Sequence, residues 1–221
     1  MDEYLSIITN FGCHYTCPYC ITKQSGLQIP KTTIDGLAGL DDAIDNCKID
    51  IVSISGGGDP LYKYEDNVEW YRKLFNITRI HNRKYKGITT HIPIEMHTSY
   101  MTCDSTFPFY DCYRVVYHCN SIEQLSKIKR TGSEKVRAVF VVTSDFTLQM
   151  LIDIASYVEN SDDIDELSFR QLVDSNYVEQ HYLENYLRLL HRKMWYYIEQ
   201  NDYNIYYAEN KIYTEFRKIG E

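Results

Sequence analysis

The sequence predicts an α/β fold with a parallel sheet, in the form of an open, partial (β/α)6 barrel. Segments rich in β-branched residues alternate with helical patterns along nearly all of the 221 residues, as in sheets whose parallel strands are joined by right-handed crossovers. The six β/α units follow one another without a Pro-, Gly- or Ser-rich linker. Hydrophobic residues make up 44% of the chain, which is enough for a substantial core. Six units suit an open barrel better than a closed one of eight.

Six segments are predicted to be strands. They are 4–11, 49–55, 91–97, 113–118, 136–143 and 164–173. The segment 136–143 gives the clearest pattern because β-branched and apolar residues run through it, whereas Pro93 weakens the third strand. The carboxyl ends of parallel strands meet at one edge of the sheet, and we expect the ligand site there.

Helical patterns separate the strands at 32–46, 65–80, 121–130, 147–158 and 179–200. The first has Leu37, Leu40 and Ile44 on one face and Thr33 as its N-cap. A terminal hairpin or a last strand is predicted within 204–216. We therefore expect one domain over 1–221, with a β/α core to about residue 175 and a C-terminal helix and terminal strand or hairpin over 176–221.

Charge and hydropathy exclude some classes of function. The formal charge of −8, from 23 basic and 31 acidic residues, argues against a protein that coats nucleic acid. The start, Met1-Asp2-Glu3-Tyr4, has no basic or apolar signal region, and no apolar run approaches the roughly 18 residues that cross a bilayer. We expect a cytoplasmic protein without a membrane segment. Basic residues cluster at 79–86 and 127–137, where a solvated face is expected rather than a docking surface for an anionic partner.

Three cysteines lie within eight residues directly after the first strand: Cys13, Cys17 and Cys20. Thiolates select iron–sulfur clusters, zinc or copper(I). A cube of four irons needs four ligands, so three thiolates would leave one iron open for another ligand. A zinc site would need a fourth protein ligand, and an electron-transfer ferredoxin would need a fourth cysteine at its own spacing. The spacing of Cys103, Cys112 and Cys119 matches no cluster pattern, and Cys119 is expected in the core.

A glycine-rich turn, Ser55-Gly56-Gly57-Gly58-Asp59-Pro60, ends the second strand. Three glycines let the backbone approach a ligand closely or adopt positive φ. The turn is not a phosphate-binding loop, because it contains neither the G-x-x-x-x-G-K-[ST] pattern nor the G-x-G-x-x-G pattern. Taken alone, it would be an ordinary turn at the end of a strand.

Together the two motifs resemble those of the radical S-adenosylmethionine (radical SAM) superfamily. The C-x3-C-x2-C spacing matches the family signature, and Tyr19, just before the last cysteine, matches its aromatic position. The residues Gly57, Gly58, Asp59 and Pro60 resemble the family's Gly-Gly-Glu-Pro motif, with Asp in place of Glu. The resemblance implies that the three cysteines hold a [4Fe–4S] cluster and that Tyr19 and these four residues bind SAM. The shorter Asp59 carboxylate favours contact with SAM through backbone carbonyls.

Polar residues at the ends of strands three to six are further candidates for SAM contacts: Thr98, Ser99, His118, Asn120, Thr143, Ser144 and Arg170. The resemblance implies SAM-binding roles for Ser99, Asn120 and Arg170 in particular. A guanidinium at a strand end can bind the SAM carboxylate in a bidentate way, although Arg170 could equally form a structural ion pair. The glycine and glutamate motif that the family carries on strand five is not visible at 139–146.

The resemblance further implies a reaction class. The enzyme would cleave SAM reductively at the cluster, and the resulting 5′-deoxyadenosyl radical would take hydrogen from a substrate. An external donor such as flavodoxin or ferredoxin would supply the electron. The substrate would be a small molecule, a peptide or a protein, with nucleic acid disfavoured as a partner; glycyl-radical enzyme activases, deazapurine- or nucleotide-modifying enzymes and peptide-modifying enzymes are the open subclasses. The alternative is a non-catalytic zinc or iron–sulfur electron-transfer module.

Overall fold

A computed structural model of the chain describes residues 3–24, 26–85, 88–101, 107–172, 183, 187, 195–198 and 204–221. It contains eleven strands in this part of the chain: β1 Tyr4–Thr9, β2 Ile51–Gly56, β3 Asn82–Tyr85, β4 Ile88–His91, β5 Ile94–Thr98, β6 Arg114–Cys119, β7 Lys135–Val142, β8 Glu166–Gln171, β9 Trp195–Ile198, β10 Ile205–Ala208 and β11 Lys211–Tyr213. Nine of them form one sheet in the order β11-β10-β1-β2-β5-β6-β7-β8-β9, and β3 and β4 form a separate antiparallel pair.

The predicted parallel α/β fold is confirmed. The six predicted strands correspond to β1, β2, β5, β6, β7 and β8, which lie side by side in chain order and pair in parallel. Within the described residues the end strands β9 and β11 pair with one neighbour each, so the barrel is open. The parallel arrangement brings the carboxyl ends of the six strands to one edge.

The strand β9 corrects the C-terminal part of the predicted helix over 179–200, whereas the Leu187 N–H donates to the Leu183 carbonyl at 2.9 Å as in a helix. The residues of β9, Trp195–Ile198, pair in parallel with β8, and the rest of the predicted helix lies outside the described residues apart from 183 and 187. Helical periodicity was the wrong criterion here. The run Trp-Tyr-Tyr-Ile consists of aromatic and β-branched residues, which have high strand propensity beside an available sheet edge.

The terminal hairpin is confirmed as β10 and β11, which pair antiparallel across a turn at Glu209 and Asn210. Both turn residues have positive φ, 46° and 62°, as a two-residue hairpin turn requires. The strand β10 also pairs in parallel with β1. The Glu209 carboxylate accepts hydrogen bonds from the N–H and the hydroxyl of Thr33 at 2.8 and 2.6 Å. These contacts hold the hairpin against the segment before the first crossover helix.

The described helices are α1 Ile21–Gln24, α2 Leu40–Asn46, α3 Val68–Ile80 and α4 Leu148–Glu159, with short 3-10 turns at Asp35–Leu37, Tyr64–Asn67, Phe109–Asp111, Ile122–Lys127 and Phe216–Lys218. The predicted helix over 32–46 is divided into a 3-10 turn and α2, and the one over 121–130 is a 3-10 turn only. The Thr147 hydroxyl caps α4 by accepting from the Met150 N–H at 3.2 Å. None of the helices in the described ranges is both long and apolar enough to span a membrane.

The two faces of the sheet differ in polarity. Side chains alternate between faces along a strand, so the register places one set against the helices, where Leu5, Met96 and Leu167 belong to the same buried cluster as Leu74 of α3 and Leu151 of α4. We call the opposite side the inner face. It carries a polar set: Ser6, Ser53, Glu95, His97, His118, Ser168 and Arg170.

Three residues of the two basic clusters form exposed ion pairs within the described part of the chain. Arg79 pairs with Asp111, and Lys129 and Arg130 pair with Asp163 and Asp165. Exposed pairs of this kind contribute little to stability. The pairing supports the expected solvated face rather than a free cationic surface.

Candidate cofactor site at the carboxyl edge of the sheet

The three cysteines lie together on the loop that follows β1. Cys13 is exposed, whereas Cys17 and Cys20 are half-buried, and all three are free thiols. The Cys20 N–H donates to the Cys17 carbonyl at 3.2 Å and closes a turn between them. Burial raises the pKa of the Cys17 thiol, and the neighbouring Cys13 and Cys20 raise it further, whereas the hydrogen bond from Asn120 lowers it. The loop therefore brings three mutually interacting thiols to the ligand edge of the sheet.

The donor set of this loop matches a cluster with three protein ligands. Across the described ranges, no three His, Cys, Asp or Glu side chains are arranged as ligands of one metal ion. A cluster needs a different arrangement, because each thiolate binds a separate iron atom. Soft thiolates are the ligands that iron–sulfur clusters select. Cys13, Cys17 and Cys20 are thus the residues that would hold such a group.

Two predicted SAM-binding residues connect the cysteine loop with the end of β6. The Tyr19 hydroxyl donates to Asn120 Oδ1, and Asn120 Nδ2 donates to Cys17 Sγ at 3.8 Å. Burial raises the pKa of Tyr19 to about 12, so the phenol stays protonated and remains a donor. The structure therefore brings Tyr19 and Asn120 beside Cys17.

The glycine-rich turn lies directly against the cysteine loop. The Asp59 N–H donates to the Gly12 carbonyl at 2.7 Å, and the Gly57 N–H donates to the Thr9 carbonyl at 2.8 Å. A Cβ on Gly58 would lie 2.0 Å from the Gly12 oxygen. The absence of a side chain at Gly58 is therefore what allows the two loops to meet, with no positive φ at any of the three glycines.

The Asp59 carboxylate joins the ends of β2 and β5. It is 3% exposed. Its Oδ1 accepts from the Leu61 N–H at 2.9 Å and the Thr98 hydroxyl at 2.8 Å, and its Oδ2 accepts from the N–H and the hydroxyl of Ser99, both at 2.6 Å. The Pro60 carbonyl accepts from Tyr71 Oη at 2.6 Å. These four bonds occupy the carboxylate, which supports the expectation that this turn meets a ligand through its backbone.

Replacing Asp59 with alanine is expected to lower the free energy of unfolding by about 3 kcal/mol or more, since hydrogen bonds to a buried charged group contribute about 1.5–3 kcal/mol each. Urea unfolding measures the loss. Asp66→Ala, which removes an exposed carboxylate from the nearby 3-10 turn, should change stability by less than about 0.5 kcal/mol. Equal losses in the two variants would contradict the bridging role of Asp59.

A buried polar chain crosses the inner face below this edge. Glu95 Oε1 is 2.8 Å from His97 Nε2, and His97 Nδ1 is 2.9 Å from His118 Nε2. Arg114 forms an ion pair with Glu95. Burial acts to raise the pKa of Glu95, but the hydrogen bond from His97 and the positive charges of Arg137 and Arg114 hold it well below its usual range. Sequence analysis missed Glu95 and His97, although their alternation with Ile94, Met96 and Thr98 was a period-two signal for a polar strand face.

Where the structure describes them, the other residues singled out in the sequence lie on β8, in the core or in the turn after β7. Arg170 lies on the inner face of β8, and in the described part of the chain it makes no hydrogen bond to the cysteine loop. Cys112 and Cys119 are buried, and burial raises the pKa of both thiols, that of Cys119 to about 12. Cys119 therefore belongs to the core as expected, and Cys103 lies outside the described residues. Thr143 and Ser144 follow β7 in a turn.

One further contact at the site was not predicted. The His14 ring stacks on Tyr100, with centroids 4.6 Å apart and planes 12° apart, and meets the edge of Tyr62 at 5.1 Å. The ring of Tyr62 also lies where a Cβ on Gly12 would be, at 2.5 Å. The cysteine loop is thus held on one side by aromatic packing and on the other by the glycine-rich turn.

Comparison with known proteins gives a structural match only. No protein-family model matches the chain, and no curated protein matches it in sequence. A crystal structure of Streptococcus suis SuiB bound to the precursor peptide SuiA matches with a TM-score of 0.59 and 13% identity, over 89% of this chain and 49% of that one. A structure of SuiB bound to S-adenosylmethionine matches with a TM-score of 0.56 and 13% identity, over 90% and 48%. The chain therefore shares the SuiB fold and spans about half of SuiB's length.

Proposed function

We propose that this chain is a radical SAM enzyme, which cleaves SAM reductively at a [4Fe–4S] cluster held by Cys13, Cys17 and Cys20. The observation that carries the proposal is the direct contact between the cysteine loop and the glycine-rich turn, through Gly12, Gly58 and Asp59. Two motifs that are distant in sequence, with Gly12 contacting Gly58, meet at the edge where parallel sheets bind ligands. The fold shared with SuiB, a protein solved with S-adenosylmethionine, adds support.

Different residues of this chain would bind the cluster and SAM. Three thiolates would hold the cluster and leave one iron for SAM. The backbone of Gly57, Gly58, Asp59 and Pro60 would receive the SAM amino group, with Tyr19, Ser99 and Asn120 as neighbouring contacts. The chemistry supplied by a bound cluster is the one-electron reduction of SAM, which yields methionine and a 5′-deoxyadenosyl radical. An external reductant such as flavodoxin or ferredoxin would deliver the electron in the cytoplasm.

Among substrate classes we propose a peptide first. The support is that SuiB, which shares the fold, was solved with a precursor peptide. The inner face also carries the half-buried polar side chains of His118 and Arg170, which could form hydrogen bonds with a chain that has many amide groups. The reaction on the substrate is hydrogen abstraction, since that is what the proposed radical does.

The proposal is tested by anaerobic reconstitution with iron and sulfide. We expect about four irons and four sulfides per chain, and formation of 5′-deoxyadenosine when SAM and dithionite are added. Metal analysis and chromatography provide the two readouts. One zinc per chain, or a reduced cluster that yields no 5′-deoxyadenosine, would refute the proposed function.

A further inference from the structure

The hydrogen-bond chain on the inner face fixes which atoms donate and which accept. Arg114 keeps the Glu95 carboxylate ionised, so it must accept from the Nε2–H of His97. The neutral His97 ring then has an unprotonated Nδ1, which accepts from the Nε2–H of His118. Burial lowers the pKa of His97 although Glu95 opposes the effect, and burial together with Arg170 lowers that of His118 well below its usual value. His118 Nδ1 is therefore an acceptor, and no donor among the described residues bonds to it.

Two donors on the same face have no acceptor in the described residues. They are the hydroxyl of Ser168, which is fully buried, and the Nε–H of Arg170. The register places Ser168 in one row with His118, with Val139 of β7 between them. A buried donor without an acceptor is energetically unfavourable, because it loses its hydrogen bond to water without gaining another. A bound ligand with an acceptor oxygen would satisfy both donors.

The charges on this face point to an anion. Glu95 pairs with Arg114, and Glu166 pairs with both Arg114 and Arg137. Arg170 has no carboxylate partner in the part of the chain that the structure describes. Among the described residues of this face, three guanidinium groups therefore accompany two carboxylates. A partly buried cation is stabilised when a ligand supplies the opposite charge.

We propose that His118, Ser168 and Arg170 form a substrate subsite for a carboxylate that has an N–H group nearby, as in an acidic residue of a peptide. Ser168 and Arg170 bind the carboxylate, and His118 Nδ1 accepts from the N–H. His97 and Glu95 act as positioning residues that fix the His118 ring. The inference rests on the proposed function for its substrate class. SAM also carries a carboxylate, but Ser168 lies three residues below the end of β8, and therefore roughly 10 Å below the edge where the cysteine loop lies.

The test uses the reconstituted chain labelled with ¹⁵N-histidine and two small probes. The first probe is N-acetyl-aspartate N-methylamide, and its neutral match is N-acetyl-asparagine N-methylamide. We expect the unliganded His118 to show Nδ1 unprotonated and Nε2 protonated by NMR. The aspartate probe should shift these signals in a saturable way, and the asparagine probe should bind at least about tenfold more weakly, because a charge-assisted bond is lost.

Substitutions at single positions test the role of each side chain, and binding is measured from the NMR signals of the probe. His118→Gln keeps a donor for His97 but loses the acceptor at Nδ1, so binding should weaken by about tenfold. His118→Asn keeps an acceptor at that position and should bind within about threefold of the wild type. Arg170→Gln should weaken binding by about tenfold or more, while Arg72→Gln, which removes an exposed guanidinium on α3, should not.

Three results would overturn the inference: equal binding of the two probes, equal loss in the two His118 variants, or displacement of the aspartate probe by SAM with the same His118 shifts. The last result would assign the carboxylate site to SAM. The same samples are assayed for 5′-deoxyadenosine formation. If that reaction persists while probe binding fails, the subsite is wrong and the proposed function stands; if the reaction is absent, the proposed function fails on its own evidence.

Discussion

Replacing Cys17 with alanine is expected to abolish 5′-deoxyadenosine formation and most of the iron bound by the reconstituted chain. The expected loss of activity is at least about 100-fold, since even residues that only support metal ligands typically contribute about 10–100-fold. Cys17 lies between the other two thiols in sequence and receives the hydrogen bond from Asn120. Its removal would therefore take away a proposed ligand and one of the two side-chain hydrogen bonds that join the loop to Asn120 at the end of β6. Iron analysis and product chromatography measure the two effects.

The matched control for this variant is Cys47→Ala. Cys47 is also a free, half-buried cysteine, but it lies at the end of α2, away from the loop. The control should keep the iron content and activity of the wild type. Equal losses in both variants would mean that a cysteine affects activity through stability alone, and the assignment of Cys17 as a ligand would then be wrong.

Replacing Gly58 with alanine is expected to separate the glycine-rich turn from the cysteine loop. The new Cβ would lie 2.0 Å from the Gly12 oxygen and 2.8 Å from its carbonyl carbon, and neither backbone can move without breaking the Asp59–Gly12 hydrogen bond. Overpacking of this kind costs about 1–3 kcal/mol or more. We expect that loss in urea unfolding, together with reduced iron binding, because the cysteine loop loses its support.

Gly39→Ala provides the comparison for Gly58→Ala. A Cβ on Gly39 would meet Asn210 Oδ1 and Tyr207 Oη at 3.6 Å, an ordinary contact, and the backbone there has a negative φ of −93°. This variant should retain its stability to within about 1 kcal/mol and bind iron normally. Should the two glycine variants lose stability and iron equally, close contact between the loops would no longer explain the requirement for Gly58.

The sheet and the two ligand loops could be predicted because their signals are local. The six central strands are short runs of β-branched and apolar residues, and their alternation with helical patterns determines a parallel order. Once the order is known, the position of the cysteine loop after β1 and of the glycine-rich turn after β2 follows from the rule that ligand loops lie at the carboxyl edge. Neither inference needs a contact between residues distant in sequence.

The rest of the site depends on pairings that no local pattern contains. The chain from Glu95 to His97 and His118 exists because the register sets β5 beside β6. Likewise, Asp59 is a bridge only because the ends of β2 and β5 are neighbours, so its two oxygens meet Thr98 and Ser99. The strand β9 was missed because a run of aromatic residues is compatible with a helix until a free sheet edge is available.

The pairing of β1 with β10 has a consequence for how the chain folds. Leu5 aligns with Ile205, so the strand that leads into the cysteine loop gains its second neighbour from the far end of the chain. Contacts between such distant segments slow folding, and an uncovered strand edge can pair with other molecules. During synthesis the strand before the cysteine loop therefore has one unpaired edge until residues 205–208 have left the ribosome.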